Sequence, residues 1–152
     1  MLTVCPGSPP ANYAKRTQTQ FRLDSVYTEL AVHLRELPQE EKVFRDGGQL
    51  AGRTAYGYDE TTRHPAGGIS QHDATVSDKR GNVTTLTRQV LESGATVSTQ
   101  YAYDIAGNIV QVTDPKNHVT SYSFADQFTT TTTLGGQQSY AFPTQVTWQS
   151  AP

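Results

Sequence analysis

The sequence predicts an all-β fold made of successive antiparallel hairpins. Three observations predict it. Thr supplies 22 of the 152 residues and Tyr eight, and both suit a pleated, half-buried surface better than a helix. Apolar and polar residues alternate in short runs. Gly-, Asp- and Pro-rich clusters separate those runs at hairpin spacing.

The elements follow in order. Residues 1–16 read as a flexible tail, because Pro6, Pro9 and Pro10 remove donors and Gly7 adds freedom. Residues 19–38 fit two periods. Val26, Thr28, Leu30, Val32 and Leu34 alternate as in a strand, while Leu23, Val26, Tyr27, Leu30, Leu34 and Leu37 fall at helical spacing. The β-like flanks favour the strand, with the helix left open. Residues 42–45 run into a turn at Asp46-Gly47-Gly48 and return over 49–58. A polar loop covers 60–73. Strands follow at 82–91 and 95–103 around Glu92-Ser93-Gly94, and at 108–113 and 118–124 around Asp114-Pro115-Lys116-Asn117. A last pair is expected at 128–134 and 137–142 around Gly135-Gly136, and one more strand at 144–148 after Pro143. The expected domain is 17–148, with a short tail at 149–152.

Composition excludes several classes. Twelve Lys and Arg against 14 Asp and Glu give a charge of −2, without the basic cluster that nucleic acid requires. No apolar run reaches the length of a membrane span. Cys5 is the single cysteine, so neither an internal disulfide nor a cysteine metal cage is expected. The N-terminus lacks the basic and apolar regions of a secretory signal.

A repeat underlies the Thr and Tyr excess. Four segments share Thr-x-aromatic-x-apolar-Asp: Thr19 to Asp24, Thr54-Ala55-Tyr56-Gly57-Tyr58-Asp59, Thr99-Gln100-Tyr101-Ala102-Tyr103-Asp104, and Thr120-Ser121-Tyr122-Ser123-Phe124-Ala125, the last without its Asp. A second shared piece, Asp104-Ile105-Ala106-Gly107-Asn108, matches Asp78-Lys79-Arg80-Gly81-Asn82. Thr and both rings at i, i+2 and i+4 share one strand face. The Asp accepts turn amides, Gly107 takes a left-handed angle, and Asn108 tolerates the same region and restarts the ladder. One unit cannot bury its rings alone, whereas stacked units can.

Residues 101–122 resemble a full YD repeat of the Rhs (rearrangement hot spot) family, similar to repeats of teneurins and toxin-complex cocoons. Asn117 stands where that family has Gly, a swap a left-handed position tolerates. Tyr58-Asp59 lacks a following Gly-Asn, and Phe124-Ala125 is a degenerate copy. The resemblance implies a curled, open sheet, a slice of about four to five units from a β-cocoon. It implies a non-enzymatic module of a shell that encloses or displays a C-terminal toxin or effector, secreted or at the cell surface. The family's toxin-releasing core segment is not recognisable, and no toxin domain is expected after Pro152 within this chain. Flanking YD repeats or a second copy, meeting open sheet edges, are the expected partners, with a toxin cargo or surface glycans beyond them.

Chemistry is weighed against these structural roles. His64, His72 and Asp73, with His33 and His118 remote, match no zinc spacing. Asp59, Glu60, Asp104 and Asp114 could pair as glycosidase carboxylates, but each Asp sits where a turn wants one. Cys5 has no evident base beside it. Glycan contact by Tyr56, Tyr58, Tyr101, Tyr103 and Tyr122 is the alternative function, against a packing ladder made of the same rings. The Thr run at 129–133 reads as a weak edge strand. No cofactor is expected.

Overall fold

A computed structural model describes residues 15–29, 32–65, 79–91, 93–125 and 142–151. They form one open, eight-stranded antiparallel sheet in sequence order, which is the predicted fold class. The strands are β1 (Lys15–Phe21), β2 (Pro38–Arg45), β3 (Leu50–Tyr58), β4 (Val83–Gln89), β5 (Thr96–Tyr103), β6 (Ile109–Thr113), β7 (Val119–Ser123) and β8 (Gln145–Gln149). Short turns join β2 to β3, β4 to β5 and β6 to β7 at one end of the sheet. The connections from Phe21 to Pro38, Tyr58 to Val83, Tyr103 to Ile109 and Ser123 to Gln145 leave and re-enter the sheet at its other end, and three of the four are long.

Two readings need correction. The described residues among 23–37 form no strand. A single helical turn, α1 (Ser25–Thr28), interrupts them, with the Tyr27 and Thr28 amides donating to the Asp24 carbonyl. The cause is Tyr27: the turn drops its ring onto the sheet, where it is only 2% exposed. The first strand also begins at Lys15, inside the segment read as tail. The strand expected at 128–134, all of the one expected at 137–142 except Phe142, the run 129–133 and Asp78 lie outside the described residues. β8 pairs directly with β7, Tyr122 opposite Val146 and Thr120 opposite Trp148.

Register gives the sheet two unlike faces. Tyr56 lies opposite Leu86, Thr99 opposite Leu86, Tyr101 opposite Val112, and Tyr122 opposite Val146. Alternation puts the repeat's rings together on that aromatic face. The other face carries Thr85, Thr87, Ser98, Gln100, Gln111 and Thr113 in cross-strand rows. On it the Thr87 and Ser98 hydroxyls bond at 2.9 Å, the kind of side-chain pair that pins a register. Thr85, Thr87 and Thr113 thus place part of the Thr excess on this face, which also carries the charged cluster Glu40, Lys42 and Arg53 at β2 and β3. Among the described residues the buried hydrophobic side chains are Tyr27 and Tyr58.

Candidate functional site

The repeat's chemistry gathers at the end of each odd-numbered strand. Three joints there share one geometry. The register shifts by one residue as Phe21 pairs Pro38, as Tyr58 pairs Val83 and as Tyr103 pairs Ile109. Such a bulge increases local twist. The next amide then closes the joint: Arg22 donates to the Leu37 carbonyl at 2.8 Å, Asp59 to Asn82 at 3.0 Å, and Asp104 to Asn108 at 3.0 Å.

The second ring of each pair ties one joint to the next. Tyr58 donates its hydroxyl to the Pro38 carbonyl at 2.7 Å, and Tyr103 donates to the Val83 carbonyl at 2.9 Å. Pro38 and Val83 each open the even strand of the preceding unit. Each phenol thus satisfies its polar tip on backbone, with the Tyr58 ring buried and the Tyr103 ring half-buried.

These joints realign the first copy. Phe21 takes the place of Tyr58 and Tyr103, so Thr17 and Thr19, not Thr19 and Phe21, match Thr54 and Tyr56. Leu23 lies beyond the strand and is 57% exposed.

The second copy is complete but split. The Asp59 carboxylate accepts the amides of Arg80 at 3.0 Å, Gly81 at 2.8 Å and Asn82 at 3.2 Å. The Gly-Asn missing after Tyr58-Asp59 is Gly81-Asn82, returned by the loop 59–82. In the compact third copy the Asp104 carboxylate accepts the Asn108 amide at 2.8 Å and its side-chain amide at 3.1 Å. Asn108 does not adopt the left-handed region that Gly107, at φ 92, takes ahead of it. Its part in the turn is the pair of bonds to Asp104.

Asp114 does comparable work at the opposite end. Its carboxylate accepts the amides of Lys116 and His118 at 2.7 and 2.9 Å, while Pro115 fills the turn and Asn117 sits at φ 65. The His118 ring, 2.7 Å from Asp114 Oδ2, holds that carboxyl below its usual range, and the turn amides act in the same direction. Asp59, Asp104 and Asp114 are thus turn acceptors. Among the described residues no group of His, Cys, Asp and Glu could hold a metal ion, and no helix is long and apolar enough to cross a membrane.

The Tyr side chains divide by environment. Tyr58 is 4% exposed and stacks on Tyr56, with ring centroids 6.4 Å apart. The Tyr56 hydroxyl donates to Glu41 Oε2. Tyr101, Tyr103 and Tyr122 are half-buried on the same face. Burial, then the Asp59 charge, pushes Tyr27 from the usual 10.0 to about 12. The Glu41 bond, then burial, takes Tyr56 to about 12, and burial also raises Tyr58 and Tyr103. The folded state therefore holds these protons more tightly than the unfolded chain. The stabilisation is fully present below pH 10 and is lost as pH rises from 10 to about 12. A urea midpoint measured against pH should fall across that window, and Tyr56→Phe should make the fall shallower.

Residues 78–119 match the family model of the RHS repeat. Over that stretch the chain is similar to an RHS repeat. No curated protein and no solved structure matches it. The matched residues run from the returning loop through β4, β5 and β6 to the first residue of β7. The joint seen at Tyr103 with Ile109 recurs outside them, at Phe21 with Pro38. RHS repeats are structural repeats and not typically enzymatic.

Sequence reasoning gives Tyr27, Arg80 and His64 no part in these joints. Tyr27 donates its hydroxyl to the Tyr58 carbonyl at 2.9 Å. The His64 amide donates to the Tyr103 carbonyl, its carbonyl accepts from Ile105, and Arg80 donates to the Ile105 carbonyl. These partners lie far apart in sequence, and no local motif marks them.

Proposed function

We propose that this chain is a stretch of the wall of a YD-repeat shell, one that in its parent protein encloses or displays a C-terminal toxin or effector. The supporting observation is the strand order. Among the described residues every strand pairs only with its sequence neighbours, so the sheet grows one unit at a time, with β1 and β8 as its edges. Identical joints at successive units carry the twist that such growth needs to curve. The wall works by geometry, without chemistry of its own. RHS-repeat proteins are usually extracellular or at the cell surface, which suits this role.

Flanking YD units or second copies would meet the two edges. The edges differ. β1 begins with Lys15 and Arg16, charges that blunt edge pairing, whereas β8 (Gln145–Gln149) has none and exposes Val146 and Trp148 at 59% and 65%. Sedimentation velocity should show concentration-dependent self-association, and Thr147→Lys should shift it towards monomer. A wild-type chain that stays monomeric on the order of tens of micromolar would overturn the open-edge part of this reading.

Glycan contact, the alternative, would fall to Tyr101 and Tyr122. Tyr58 is enclosed, and the Tyr56 and Tyr103 hydroxyls are engaged by Glu41 and Val83.

A further inference from the structure

Two joints are roofed by the loop of the unit before. Residues 22–37 set Tyr27 edge-on against Tyr58, with ring centroids 6.5 Å apart, and its hydroxyl reaches the Tyr58 carbonyl. Leu34 and Leu37 of the same loop close over Gly81. The loop 59–82 treats the third unit alike, through His64 on Tyr103 and Ile105, and Arg80 on Ile105.

The fourth unit has no such roof from the third. Residues 104–108 close on themselves, with the Gly107 and Asn108 amides bonded to Asp104. A cleft of about 460 Å³ lies there, lined by Ile109, Val112, Tyr122, Phe124 and Pro143, with Gly107 and Asn108 at its rim. Register identifies the place. Thr120 opposite Val112 repeats Thr54 opposite Glu41, so Tyr122 and Phe124 stand where Tyr56 and Tyr58 stand. Ile109 stands where Pro38 stands. The cleft is thus the counterpart of the site that Tyr27 fills. Phe124 also lacks the hydroxyl that Tyr58 and Tyr103 extend to the strand before. The lining carries no charge, and Phe142 and Val146, 79% and 59% exposed, continue the apolar surface.

We propose that this cleft docks an aromatic side chain of a partner polypeptide, as Tyr27 docks against Tyr58. The occupant is a tyrosine on a short helical turn, its ring edge against Phe124. The chain's own segment 22–37 defines that chemistry, because it is the cover the same place receives two units earlier.

The test titrates a fluorescent synthetic peptide of residues 22–37 into the full chain and reads anisotropy. Saturable binding is expected. A peptide carrying Tyr27→Ala should bind roughly tenfold more weakly, as should the wild-type peptide to an Ile109→Glu chain. Ile109 is 36% exposed at a strand end, so the charge should leave the sheet folded, as far-UV circular dichroism would verify. The Tyr27→Ala peptide reads the ring on the wild-type chain, whatever the variant does. Absence of saturable binding, equal binding by both peptides, or undiminished binding to folded Ile109→Glu chain would overturn the proposal. None of these outcomes bears on the edges tested by sedimentation.

Discussion

Asp59→Ala is expected to destabilise the sheet by about 2–4 kcal/mol, because three amides lose their acceptor at once. Arg80, Gly81 and Asn82 would be left in a partly buried turn, and unsatisfied buried donors are costly. A smaller term adds to it. Asp59 sits at φ 50, a region that Asp and Asn tolerate better than Ala. Asp59→Asn keeps one oxygen and the backbone preference, so it should lose roughly half as much. Urea denaturation would rank the two. Amide hydrogen exchange would localise the effect, with Arg80 to Asn82 losing protection first. Equal stability of wild type and Asp59→Ala would mean that the split unit is not held by this carboxylate.

Gly81→Val should be the more damaging of two glycine substitutions, and Gly107→Val the milder. Both residues take positive φ, at 74 and 92, where a β-branched residue is strained by about 1–3 kcal/mol. Space then separates them. A Cβ on Gly81 would lie 3.0 Å from Leu37 Cδ2 and 3.1 Å from Leu34 Cδ1, whereas one on Gly107 meets nothing within 4 Å. Gly107→Val therefore measures backbone strain alone. Gly81→Val adds displacement of the Leu34 and Leu37 cover, for a total of about 3–5 kcal/mol. Thermal or urea unfolding of the pair would test the order, and Gly107→Val as the worse variant would refute the covering role of residues 22–37.

Much of the fold was legible because its signals are local. Asp46-Gly47-Gly48, the glycine at 94 and Asp114-Pro115 with Asn117 punctuate the chain, and period-two alternation fills the gaps. The compact unit at 101–122 was read almost whole, since Asp104 and Asn108 are neighbours in sequence as well as in space. The split unit was not. Asp59 and Gly81-Asn82 are separated by a loop, and Asp78 stands at the spacing of the compact copy, which made a nearer partner look natural. Alignment of the first copy slipped by two residues for a related reason. A two-residue slip keeps every side chain on its own face, so alternation cannot detect it. Only the bulge at Phe21 decides it. Tyr27 was ambiguous because strand and helix periods coincide across 23–37, and the contact that resolves them comes from Tyr58, far along the chain.

The roofs all lean the same way. Tyr27, in the loop after β1, rests on the second unit, and His64 and Arg80, in the loop after β3, rest on the third, so both of those units are finished by the one made before. A chain emerging from the ribosome would meet its braces already in place, and closure can follow synthesis from the N-terminal side. Loss of a unit then has unequal effects. Removal behind β8 leaves the earlier roofs untouched, while removal of β1 and its loop strips the cover from Tyr58 and passes the damage forward. The sheet's hydrogen-bond ladder reads alike in both directions, but its bracing makes it a one-way structure.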